Sequence, residues 1–158
     1  MKKKLISLLL SIAMLASLAL PAMAEESTGT ALDGYTDVDG TAWYAEAVTY
    51  VIENGIMGST STDAKLFAPD GTVTRATVYQ TLYNMEGRPA VSAASPFRDV
   101  AAGAWYTQAV VWAAQAQIVT GYDGAFTPDG NITREQLAVM LYRYAQTAGY
   151  DPAQGGTA

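Results

Sequence analysis

The chain uses one turn-to-helix phrase twice, as Pro69-Asp70-Gly71-Thr72-Val73-Thr74-Arg75-Ala76 and as Pro128-Asp129-Gly130-Asn131-Ile132-Thr133-Arg134-Glu135. A sequence built this way folds as copies of one small unit that bury their faces against each other. In each copy Pro fixes φ at the second position of a turn, Asp tolerates the third and Gly closes it, which is a type I signal. Thr74 and Thr133 then stand as N-caps of a helical run. Thr133 and Gln136 have capping-box spacing, whereas Thr74 is followed by Thr77 and its reciprocal bond is expected to be weaker or missing. The arginine next to each cap is unusual. A cation in the first helical turn opposes the helix dipole at roughly 0.3–1 kcal/mol. Arg75 and Arg134 therefore suggest an anionic partner, either an acidic side chain or a ligand.

The units extend on both sides of that phrase. The first opens at Tyr35-Thr36-Asp37-Val38 and Ala42-Trp43-Tyr44, and Tyr44, Ala47, Val48, Val51 and Ile52 make the stripe of an amphipathic helix that ends at Gly55. A polar loop, Ser59 to Asp63, leads to Phe67 and the first turn, and a second helix carries Val78, Leu82 and Met85 towards a stop near Gly87 and Pro89. The second unit opens at Phe97-Arg98-Asp99-Val100 and Ala104-Trp105-Tyr106, each 62 positions after its counterpart. Its first stripe is Tyr106, Ala109, Val110, Ala113 and Ala114, and its second is Leu137, Met140, Leu141 and Tyr144. Gln117 occupies the place of Gly55, and a left-handed residue there would cost roughly 1 kcal/mol relative to Gly.

The ends read differently. Lys2, Lys3 and Lys4, an apolar run from Leu5 to Leu20, and Ala22-Met23-Ala24 describe a signal peptide over residues 1–24, cleaved after Ala24. Residues 25–34 read as a flexible leader, 35–88 as the first repeat, 89–96 as a linker, 97–149 as the second repeat and 150–158 as a flexible tail. Losing three lysines moves the formal charge from −6 to −9, so nucleic acid and anionic membrane are poor partners for the mature form. The absence of Cys and His removes disulfides, thiol nucleophiles, the usual zinc sites and imidazole catalysis. It also removes a lipid-modified cysteine, so attachment to a surface would be non-covalent.

The order [Tyr/Phe]-x-Asp-Val, Ala-Trp-Tyr, an Ala/Val-rich helix, Phe-x-Pro-Asp-Gly and [Val/Ile]-Thr-Arg, met twice over residues 35–149, resembles the S-layer homology repeat of bacterial surface proteins. The resemblance implies an all-α fold of two tandem helix–loop–helix repeats, part of a pseudo-threefold spindle lacking its third repeat. It further implies export and non-covalent binding to secondary cell-wall polysaccharide, often pyruvylated and so anionic, in grooves between repeats. Its Thr-Arg-Ala-Glu motif carries the site onto Arg75 and Arg134, with Thr74 and Thr133 beside them. The motif's final Glu is absent from both copies, where Thr77 and Gln136 stand.

Simpler roles compete for each residue. Arg75 and Arg134 could pair with Glu135 or Asp99, but recurrence at a helix end that disfavours cations favours a ligand. Trp43 and Trp105 begin apolar stripes and are expected to pack in the core, with a ring edge open to the groove as part of the ligand site. Asp37 and Asp99 are expected as turn or cap residues. An EF-hand is rejected, because Ala125, Thr127 and Gln136 fall where calcium ligands are needed. The prominent acids are repeated turn residues and two helical repeats offer no evident deep cleft, which argues against a glycan hydrolase, and no catalytic residue, metal or cofactor is expected. A structural assembly protein without glycan binding is the alternative. An absent third repeat would leave Val48, Val51 and Ile52 or Val110, Ala113 and Ala114 uncovered, so a homo-oligomer, or association with another protein carrying such repeats, is expected. Val51→Lys is expected to dissociate it.

Overall fold

A computed structural model describes residues 30–150; the expected signal peptide over 1–24, residues 25–29 of the expected leader and residues 151–158 of the expected tail lie outside the described residues. Four helices occur among them: α1 Ala45–Glu53, α2 Arg75–Met85, α3 Thr107–Gln115 and α4 Arg134–Thr147. Each repeat supplies two. The described residues hold isolated bridges, Thr74 to Asn131 and Tyr122 to Ala125, instead of strands. Residues Leu32 to Tyr35 form a turn closed by the Tyr35 N–H on the Leu32 carbonyl, and the Lys65 ammonium donates to the Asp33 carbonyl at 3.2 Å.

The helix ends follow from the sequence. Thr74 and Thr133 are extended N-caps whose hydroxyls accept from the Thr77 and Gln136 N–H groups, and the reciprocal bond of a capping box forms only at Gln136. At the other end all four helices close with the paired bonds of a Schellman motif. In α1 the Gly55 N–H reaches the Ile52 carbonyl and the Ile56 N–H the Val51 carbonyl; in α3 Gln117 and Ile118 make the same pair to Ala114 and Ala113. Gly55 has φ +62° and Gln117 +58°, so the glutamine adopts the left-handed conformation despite its Cβ.

The core lies at the junction of α2 with the second repeat. Ala76, Tyr79 and Leu82 of α2 pack with Phe97, Val110, Ala113, Ile118, Phe126, Met140 and Tyr144, whereas α1 contributes nothing to this cluster. Tyr79 and Phe97 both lie against Phe126, with ring centroids 5.4 and 5.7 Å away. The buried face of α2 therefore differs from the expected one: it runs through Ala76, Tyr79, Leu82 and Tyr83, while Val78 is half-buried and Met85 is 51% exposed. The reason is that α2 packs on α3 of the next repeat, which turns the Tyr side inward. In α4 Met140 and Tyr144 are buried as expected, but Leu141 is exposed and Leu137 half-buried.

A carboxylate ties each repeat's two halves together. Asp37 accepts from the Phe67 and Ala68 N–H groups at 3.0 and 2.7 Å, and Asp99 from those of Phe126 and Thr127 at 2.8 and 2.7 Å. Each clamp holds a left-handed residue, Ala68 at φ +55° and Thr127 at +56°. The two aspartates act on a loop about thirty residues away, beyond the local turn the sequence suggests.

Candidate functional site

Two grooves occupy equivalent places on the repeats. The first, of about 390 Å³, lies between the Ile56–Thr62 loop and the Thr77, Gln80, Thr81 and Asn84 side of α2, with Trp105 of the next repeat on its wall. The second, of about 400 Å³, lies between Val119–Gly121 and the Gln136, Val139 and Arg143 side of α4, with Arg75 and Tyr79 of the preceding repeat on its wall. The first is lined with hydroxyls and amides. Gln80 donates to Asn84 at 2.8 Å, Asn84 donates to the Ile56 carbonyl at 2.9 Å, and the Gln80 Oε1 atom is buried without a partner among the described residues. Such an acceptor favours a donor entering from the groove, since a buried unmatched oxygen costs about 1–3 kcal/mol. Gly121 lines the second groove because no Cβ fits: at φ +65° it would stand 2.5 Å from the Phe97 ring and 2.6 Å from the Ala125 carbonyl oxygen.

The two arginines do not share one environment. Arg75 is half-buried at the junction, its Nε donating to the Phe126 carbonyl at 2.8 Å and its guanidinium lying 5.3 Å from the Phe126 ring centroid. Here the first turn of α2 meets carbonyls directly, the Arg75 N–H reaching Gly130 O at 2.9 Å and the Ala76 N–H Pro128 O at 3.0 Å. The cation at the helix start is thus stabilised by a carbonyl and a ring face, where the sequence suggests an acidic side chain or a ligand. Arg75 still lines the second groove, where Glu135 also lies, and a third depression of about 450 Å³ with Arg98 and Tyr122. Arg134 is exposed, without an ion-pair or side-chain hydrogen-bond partner among the described residues, and lines neither groove.

Trp43 and Trp105 are not core residues. They are 94% and 63% exposed, each held edge-on against the following tyrosine, with centroids 5.6 Å apart for Trp43–Tyr44 and 5.2 Å for Trp105–Tyr106. In the second repeat the stripe that reaches the core begins at Tyr106, one residue after Trp105, so that indole points away from it. Of the six candidate residues, Trp105 walls the first groove and Arg75 the second; Thr74 and Thr133 cap helices, and Trp43 and Arg134 stand apart on the surface. The groove residues Gln80, Asn84 and Arg143 had no signal in the sequence beyond polar positions on a helix face.

Electrostatics mark the scaffold more than the grooves. Donation from the Phe67 N–H, joined by Ala68, holds the Asp37 carboxyl below the usual carboxylate range. Burial pushes Asp99 upward, but the Phe126 and Thr127 N–H groups outweigh it and leave the carboxyl lowered. Burial, with a 2.7 Å hydrogen bond to Glu86, pushes Tyr144 up to about 12, so it stays a neutral donor linking α4 to the end of α2.

Comparison with known proteins adds the family. An endoglucanase of Bacillus sp. (strain KSM-635) is 37% identical over 145 residues, which are 89% of this chain and 15% of that protein. S-layer protein sap of Bacillus anthracis is 27% identical over 139 residues, 88% of this chain and 16% of its own length. A cellulosome-anchoring protein of Acetivibrio thermocellus is 29% identical over 89 residues, 53% of this chain and 20% of its own. The chain thus spans a fifth or less of the length of these relatives. The S-layer homology domain matches twice, over residues 34–78 and 96–138, and with two helical repeats joined through Arg75 and Phe126 the chain belongs to the S-layer homology domain family.

Proposed function

We propose that this chain attaches non-covalently to the bacterial cell wall by binding secondary cell-wall polysaccharide in the grooves beside its repeats. It is a cell-surface, cell-wall-associated protein, in keeping with its family and its S-layer relatives. The observation that carries the glycan reading is the first groove, where hydroxyl and amide side chains face an exposed indole. Sugars offer alternating hydroxyls and apolar faces, which such a lining matches. Arg75, on the wall of the second groove, supplies a cation suited to a carboxylate such as that of a pyruvylated sugar. Trp43, Arg134, Thr74 and Thr133 belong to this reading as second-line contacts.

The repeats, 35–88 and 97–149 with 89–96 between them, are read as two members of a pseudo-threefold spindle. The role is anchoring without turnover; the endoglucanase's activity is not carried over from an alignment with 15% of its length.

Purified wall sacculi test the reading. The chain should sediment with them and lose binding once the secondary polymer is extracted. Trp105→Ala, and separately Arg75→Ala with Arg134→Ala, should weaken binding about tenfold or more, roughly 1.4 kcal/mol. Folded variants that bind like the parent, or binding that survives extraction of the polymer, would remove the grooves as the site.

A further inference from the structure

The contact between repeats exists once as a made junction and a second time as two separate, uncovered halves. In the made junction α2 packs on α3: Leu82 and Tyr83 are 3% and 6% exposed, and the Tyr83 ring lies 5.7 Å from the Trp112 ring. The same dipeptide stands at the same distance from the capping threonine in α4, as Leu141-Tyr142, and there it is 46% and 54% exposed. The position of Trp112 is held in α1 by Tyr50, 62 residues earlier, which is 60% exposed. Residues that one interface covers are thus repeated where nothing among the described residues covers them.

We infer that a second copy of this chain docks its α1, through Tyr50, on the Leu141–Tyr142 face of α4, repeating between chains the contact that α2 and α3 make within one. The occupant is set by the internal template: a helix carrying an aromatic at the Trp112 position fits a Leu-Tyr face, and α1 is such a helix. The contact is head to tail, since the two surfaces differ, and it leaves the pair with one further half of each kind, an α1 on one copy and an α4 on the other. The copies are not identical at the N-terminal end of α4, where Glu135 and Ala138 replace the buried Ala76 and Tyr79, so the Leu-Tyr end carries the docking.

The site gains a residue from this arrangement. Trp105 follows the loop before α3 and walls the first groove; Trp43 occupies the same place before α1. A docked copy therefore brings its Trp43 to the second groove, which has Arg75 but no indole of its own. That consequence rests on the glycan reading above, while the docking does not.

The chain contains no cysteine, so introduced thiols report the contact without background. Tyr50→Cys and Tyr142→Cys variants, each folded by circular dichroism, are mixed and oxidised with no glycan present. The expected product is the mixed disulfide in clear excess over either symmetric one, and adding Leu141→Glu to the Tyr142→Cys variant should abolish it. Sedimentation of the unmodified chain should show mass rising with concentration. A chain that stays monomeric at high micromolar concentration, symmetric disulfides in equal or greater yield, or cross-linking that ignores Leu141→Glu would each overturn the proposal. Because no polysaccharide is present, none of these results bears on wall binding.

Discussion

Replacing Gln117 by Gly should make the protein more stable, and the structure allows the size to be worked out. Gln117 and Gly55 close α3 and α1 with the same pair of Schellman bonds at φ +58° and +62°. A Cβ at Gly55 would meet no atom within 4 Å, so packing does not separate the two sites and the difference lies in the backbone. The left-handed conformation costs a residue with a Cβ about 1–2 kcal/mol. Glycine's greater freedom in the unfolded chain returns about 0.5–1 kcal/mol of that. The net gain for Gln117→Gly is then about 0.5–1 kcal/mol, and Gly55→Gln should lose a similar amount. Urea titrations followed by circular dichroism would read both as midpoint shifts of opposite sign at constant slope. The double exchange should return close to the parent, since the two sites close different helices. A Gln117→Gly variant no more stable than the parent, or a Gly55→Gln variant without loss, would refute the backbone argument.

Three further outcomes are expected. Asp99 is held below its unfolded value, so its stabilisation is present above the unfolded pKa and lost as pH falls through the folded one; Asp99→Asn should cost about 1–2 kcal/mol near neutrality after discounting for its exposure and flatten the acid limb of denaturant midpoint against pH. Phe126→Ala should cost about 3–5 kcal/mol, whereas Phe67→Ala, at the equivalent but half-buried position, should cost markedly less in the same titration. Arg75→Ala should lower stability by about 1–3 kcal/mol through loss of the Phe126 carbonyl and ring contacts; Arg134→Ala should stay within about 0.5 kcal/mol of the parent.

Local signals in the sequence were legible where the chain answers to itself. The threonine caps, the Gln136 capping box, the αL closures and the helical stripe of α3 all depend on residues within one or two turns, and spacing reveals them; the stripe expected on α1 holds only in part, with Val48 buried and Ala47 exposed. The misplaced features depend on the neighbouring repeat. Val78 and Met85 looked like the face of α2 by periodicity, but α3 selects Tyr79 and Tyr83 instead. Arg75 suggested an anionic partner because a sequence cannot display the Phe126 carbonyl fifty-one residues on. The tryptophans looked like core by type, yet each stands one residue before the face that turns inward. Among the candidate site residues, position relative to a groove was the illegible part: Arg75 and Arg134 share a motif, and among the described residues only Arg75 has a following repeat against it.

The peptide group of Phe126 has a consequence for how the chain would behave if cut. Its N–H is held by Asp99 of its own repeat and its C=O by Arg75 of the other, while the helix start at Arg75 and Ala76 borrows carbonyls from Gly130 and Pro128. Neither half can complete this hydrogen bonding alone. The covalent passage through residues 89–96 is tied at its ends, Tyr83 donating to the Pro89 carbonyl and the Phe97 N–H to Ser95, and between them supplies a high effective concentration of one half for the other. A protease nick there should leave two fragments that migrate together in native conditions and part only when the whole structure unfolds.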